Sequence, residues 1–112
     1  MGKVIFINSD RIGDGEAELG LKLMQSFLYS LARTETKPSA VLFMNSGVRL
    51  TCDGSGALDD IKLLVADGVA VKSCGTCLDY YGLKETLAVG EVGTMNGTAE
   101  TVMAATDVVS VG

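Results

Sequence analysis

Three short runs of this chain are apolar almost without interruption, and each ends in a polar turn: Lys3 to Asn8, Ala40 to Met44 and Val69 to Ser73. Such β-forming runs are the pattern of strands covered on both faces. Between them the period changes. From Glu16 to Arg33 the apolar residues fall at Leu19, Leu23, Phe27 and Leu31, widened by Leu21, Met24 and Leu28, which is helical spacing with a broad face. Asp14, Glu16 and Glu18 crowd its start and Arg33 its last turn, both favourable to the helix dipole. Pro38 beyond it is a stop signal. A second helix is expected over Ala57 to Asp67, with Ser55 or Gly56 near its cap, Leu58, Ile61 and Val65 inward, and Gly68 just past its end. After Gly82 the pattern predicts a short strand over Thr86 to Val89, a loop from Gly90 to Thr94, a helix over Met95 to Ala105 and a last strand over Asp107 to Val111. Strands alternating with helices imply parallel pairing through right-handed crossovers. The expected fold is α/β, a three-layer α/β/α sandwich over residues 1–112, with a mainly parallel sheet of about five strands.

Composition narrows the function. With nine basic and fourteen acidic residues the net charge is −5, which argues against a nucleic-acid partner. No apolar run approaches the roughly 18–20 residues that cross a bilayer, so no membrane partner is expected. The start, Met1-Gly2-Lys3 followed at once by Val4-Ile5-Phe6-Ile7, reads as a strand with no room for a signal peptide; a cytoplasmic protein is expected. There is no histidine, which removes Ser-His-Asp and Cys-His catalysis and the commonest metal ligand. Gly13-Asp14-Gly15 suggests a dinucleotide loop, but Glu18 stands where the third glycine belongs and an acidic first turn repels a pyrophosphate. No cofactor is expected.

The chemistry is concentrated in Ser73-Cys74-Gly75-Thr76-Cys77-Leu78-Asp79-Tyr80-Tyr81-Gly82. Two of the three cysteines stand where a strand ends and a helical segment begins. In open α/β sheets the carboxyl ends of the strands line the ligand crevice, and a helix N-terminus favours a thiolate. Cys74 is the candidate acceptor thiol, against the reading of a buried small hydrophobe that finishes the strand. Cys77, three residues on, shares its helical face and is placed to resolve an adduct on Cys74, or else to pack beneath Leu78. A CxxC pair also suggests a dithiol oxidoreductase, although thioredoxin-like pairs follow the first strand of their motif and face a cis-proline, and Pro38 is the only proline. Three cysteines without histidine fall short of a four-ligand zinc site in one chain; no metal is expected.

Other residues gather at the same sheet end by topology. Ser9 and Asp10 close the first strand, Asn45 and Ser46 the second, and Gly75 and Thr76 begin the helical segment, so all six are candidate substrate-binding residues; such residues also cap and turn for structural reasons alone. Arg49 is the candidate cation for a thiolate or an anionic sulfur species. It lies in a long polar loop, Asn45 to Gly56, and loops of that length are often functional. Cys52 in that loop reads as a second acceptor or as an incidental cysteine. The broad apolar stripe of the first helix reads as core by default, with a subunit contact as the second reading of its width.

Asn8-Ser9-Asp10 with Gly13, Glu18-Leu19-Gly20 with Leu23-Met24, Phe43 to Leu50, Val89 to Val92 with Met95, and above all Cys74 to Leu83 resemble the DsrE/DsrF-like superfamily. Within it they are most similar to the C-terminal domain of YedF-type selenium-metabolism proteins. The resemblance implies a flavodoxin-like domain that assembles as a trimer or hexamer. It further implies a sulfurtransferase-like relay, with a persulfide on the cysteine after the third strand, here Cys74. A sulfur-donor or TusA-like carrier protein is the implied partner, since YedF-type proteins usually carry an N-terminal TusA-like domain that these 112 residues lack. The competing reading is a non-catalytic assembly subunit whose cysteines only pack.

Overall fold

A computed structural model describes residues 2–112; Met1, at the head of the first strand pattern, lies outside the described residues. Five strands, β1 (Lys3–Ile7), β2 (Ala40–Phe43), β3 (Ala70–Cys74), β4 (Glu91–Gly93) and β5 (Asp107–Val111), form one sheet in the order β4-β3-β2-β1-β5. Every pairing is parallel. Four α-helices connect them: α1 (Ala17–Leu31), α2 (Leu58–Ala66), α3 (Gly75–Tyr80) and α4 (Met95–Ala104). This is the α/β sandwich that the alternating pattern predicts.

Register puts Ile5, Val41, Val71 and Val109 side by side across the sheet, with Ile7, Phe43, Ser73 and Val111 one step on. Most of these join the larger core, with Met24 and Leu28 of α1, Ile61 and Leu64 of α2, and Leu78 of α3. Alternation sends Val4, Ala40 and Leu42 to the opposite face, where a smaller core meets Val102 of α4. The two layers are unequal. No residue of α4 is buried.

Helix phases differ from expectation. The buried line of α1 is Gly20, Met24 and Leu28, while Leu19 and Leu23 are exposed. The cause is a close approach: a Cβ on Gly20 would lie 2.8 Å from the Arg11 Cβ, and the Gly20 carbonyl accepts the Ile12 N–H. A glycine at the point of contact lets the helix roll its leucines to the flank. In α2 the buried residues are Ile61 and Leu64 rather than Val65. Ala57 precedes that helix, its N–H donating to Ser55 Oγ, and Gly68 follows it with φ +89°.

Two segments are corrected. Thr86 to Val89 is not a strand; Lys84–Thr86 is a 3-10 turn, and Leu87 makes only an isolated antiparallel bridge to Cys52. The fourth strand is instead Glu91–Gly93, inside the expected loop, paired with Lys72 to Cys74. Its Glu91 also ion-pairs with Lys72, which holds the Glu91 carboxyl below the usual carboxylate range, the hydrogen bond contributing more than the charge. The long polar loop after β2 is ordered as a seven-residue 3-10 helix, Asn45–Thr51. It buries Val48, Leu50, Thr51 and then Cys52 against the larger core. No helix among the described residues is long and apolar enough to cross a membrane.

Candidate functional site

The cysteines occupy three different environments, and all are free thiols. Cys52 is only 2% exposed, and its S–H donates to the Val48 carbonyl over 3.2 Å. Cys74 ends β3 as the residue before α3 and is 6% exposed. Cys77, one turn into α3, is the half-buried one. It opens on a hollow of about 420 Å³ lined by Asn45, Thr76, Cys77, Tyr80 and Tyr81.

Local structure explains that hollow. Ser73 and Leu78 are fully buried on either side of the turn from β3 into α3, so the segment is anchored at both ends. The helix closes on Gly82, whose φ of +68° suits glycine, with the Leu83 N–H bonded back to the Leu78 carbonyl. A Cβ on Gly75 would meet Val92 Cγ1 at 3.1 Å, so α3 begins against the edge strand.

Facing Cys77 is the start of the 3-10 helix. Asn45 has φ +54°, the left-handed region that asparagine tolerates better than most residues. Its side chain accepts the Ser46 N–H, and its own N–H donates to Cys77 Sγ over 3.1 Å. Tyr81 O–H donates to Asn45 Oδ1. Burial pushes the Cys77 thiol up, the hydrogen bond and charge of Cys74 push the same way, and the Asn45 N–H pulls it back. Cys77 is thus the outer thiol of the CxxC and Cys74 the buried one.

The residues expected at one crevice divide between two. Asn45, Thr76 and Cys77 line the hollow, and Cys74 is not part of its lining. Asp10 and Arg49 instead line a second cavity with Cys52, the Arg49 guanidinium stacked 4.4 Å from the Tyr81 ring centroid. Ser9 Oγ accepts the Arg11 N–H and Ser46 Oγ the Asp10 N–H, so both serines tie down loop backbone. Tyr81 was not among the expected site residues, yet it borders both cavities. Its position four residues after Cys77, on the same helical face, is the signal that marks it.

No family model matches the chain, and no curated protein matches it significantly. Solved structures do. The E. coli ychN protein superposes with a TM-score of 0.73 at 21% identity, over 98% of this chain and 99% of that one. A protein of unknown function from Methanobacterium thermoautotrophicum, MTH1491, gives 0.62 at 22% identity over 96% and 99% of the two chains. BT1422 from Bacteroides thetaiotaomicron, also of unknown function, gives 0.62 at 9% identity over 98% and 95%. At these identities the likeness is one of fold: an α/β/α sandwich around a five-stranded parallel sheet.

Proposed function

We propose that the protein is a sulfur-relay protein, in which the Cys74–Cys77 pair takes sulfur from a partner's persulfide and hands it on. The observation that carries this reading is the pairing of an open thiol, Cys77, holding a backbone N–H at its sulfur, with a second thiol against it that solvent hardly reaches. The shared fold supports it. In the proposed step the Cys77 thiolate attacks the outer sulfur of a donor R–S–SH; the donor's S–S bond breaks, R–S⁻ leaves and Cys77 carries the persulfide. The Cys74 thiolate then attacks that outer sulfur, and Cys77 returns to a thiolate. Attack on the inner sulfur gives a Cys74–Cys77 disulfide and releases HS⁻. Neither route needs an external oxidant. Cys74 thus holds the sulfur where solvent barely reaches, and Cys77 meets the donor.

Tyr80, 85% exposed beside the hollow, supplies an aromatic contact suited to a protein-borne donor, of the sulfur-donor or TusA-like class. Working thiols of this kind belong to a reducing compartment, which supports a cytoplasmic location. The test is intact mass after exposure of the reduced protein to a persulfide donor. Wild type is expected to gain one sulfur. Cys77→Ala should slow the gain at least about tenfold, since only the buried thiol remains, whereas Cys74→Ala should still load at Cys77. An unchanged mass for wild type, or unslowed loading of Cys77→Ala, rejects the reading; no gain and no disulfide points to an assembly subunit. A reversible disulfide without sulfur uptake points to a dithiol oxidoreductase. A selenium donor run in parallel tests the selenium counterpart.

The same reading includes a homo-oligomer, a trimer or hexamer. Val108 and Val109 are exposed on the edge strand β5, with Leu19 and Leu23 exposed on α1 and Met103 on α4. Such exposed apolar side chains support an interface between copies of the chain. Light scattering is expected to give an assembly that Val109→Lys dissociates; a monomeric wild type at tens of micromolar rules it out.

A further inference from the structure

The second cavity, about 470 Å³, shares only Tyr81 with the Cys77 hollow, and its volume is in the range of small-molecule sites. Leu21, Leu50 and Leu83 give it an apolar wall, while Arg49, Asp10 and Asp53 carry its charges. Those charges are not equally available. Asp10 is taken: Oδ1 is 3.2 Å from Arg11 Nε and Oδ2 is 3.9 Å from Arg49 Nη1. Arg11 neutralises it from outside the cavity. Arg49 is held over the Tyr81 ring and touches a carboxylate only through that long contact, so most of its five N–H donors are free. Among the described residues Asp53 makes no ion pair. Arg49 thus keeps most of its donors for a ligand, and Asp53 keeps its whole carboxylate.

A single free arginine is too little for a nucleotide or another polyanion, whose several charges call for several cations, and a simple cation would leave Arg49 unanswered. A zwitterion answers both. Arg49 lies within the 3-10 helix and Asp53 two residues past its end, after the extended Cys52, so the two charges are carried on different segments of the cavity wall. Two extended residues of a peptide span about 7 Å. That exceeds the separation of the charges in a free α-amino acid.

We propose that this cavity binds a short zwitterionic peptide, with its carboxylate on Arg49, its ammonium on Asp53 and an apolar side chain against Leu21, Leu50 and Leu83. Neither Cys74 nor Cys77 lines this site. The test titrates the folded full chain with L-leucyl-L-leucine, its N-acetyl form and its C-terminal amide, following backbone amide shifts by NMR. The unmodified dipeptide is expected to saturate, with the largest shifts at Arg49, Gly54 and Gly56, and each blocked form to bind at least about tenfold more weakly, the loss of one charged contact. Asp53→Asn, a change at an exposed side chain, should weaken the dipeptide about tenfold while leaving the N-acetyl form unchanged. A Cys74→Ala/Cys77→Ala protein should bind as wild type does, which separates this site from the relay. Equal binding of the blocked and free forms, no saturation, or shifts centred on Thr76 and Cys77 would overturn the proposal.

Discussion

Thr51 and Ser73 share a hydroxyl–hydroxyl bond of 2.7 Å in the core, both fully buried. Which is the donor follows from counting hydrogens. Thr51 Oγ1 also donates to the Val48 carbonyl over 2.8 Å, and a hydroxyl has one hydrogen, so Ser73 donates to Thr51. The two deletions are therefore unequal. Ser73→Ala removes a donor and leaves Thr51 still bonded to Val48, at a cost of about 1 kcal/mol. Thr51→Val keeps the shape but strands the Ser73 O–H without an acceptor and removes the Val48 bond, so about 3 kcal/mol is expected. The double variant strands nothing and should cost about 1–2 kcal/mol, leaving about 2 kcal/mol of coupling between the sites. Urea unfolding of the four proteins measures this, with slopes expected to stay equal. Ser73→Ala costing as much as Thr51→Val, or an additive double variant, would refute the assigned direction.

Gly47→Ala should destabilise by about 3 kcal/mol, because a Cβ there would lie 2.4 Å from the Ile7 carbonyl oxygen, a backbone atom with no room to retreat; thermal unfolding reads it, and a neutral result would mean that the 3-10 helix sits farther from β1. Alkylation of Cys77 should rise only above the pH range of an ordinary thiol: its pKa is raised, chiefly by burial and then by Cys74, and the thiolate is the attacking species. Cys74→Ala should move the midpoint down. An unchanged midpoint would show that the two sulfurs do not interact.

Strands β1, β2 and β3 were legible because their sides are buried enough to leave near-continuous apolar runs. Strand β4 was not. Its pairing rests on backbone bonds and a Lys72–Glu91 ion pair, and neither leaves a hydrophobic period. The face of α1 was misjudged because its innermost contact is made by Gly20, a residue invisible to any hydrophobic count. Cys52 looked like a loop residue because the 3-10 helix before it is too short and polar to show a period, yet its third-residue contacts carry the chain inward. At the site, the strand-to-helix placement of Cys74 and Cys77 could be read from order alone. Their unequal exposure could not, because it depends on Asn45, thirty-two residues away.

The imbalance between the two layers also bears on how this chain can change over generations. Cys74, Leu78 and Phe43 belong to the larger core, and α4 touches the sheet through the smaller one. Substitutions, insertions or an added segment at α4 therefore disturb few contacts that hold the thiols in place. One side of the sheet is constrained by the core around the thiols, while the other is free to drift, and new partners can be acquired there without disturbing that core.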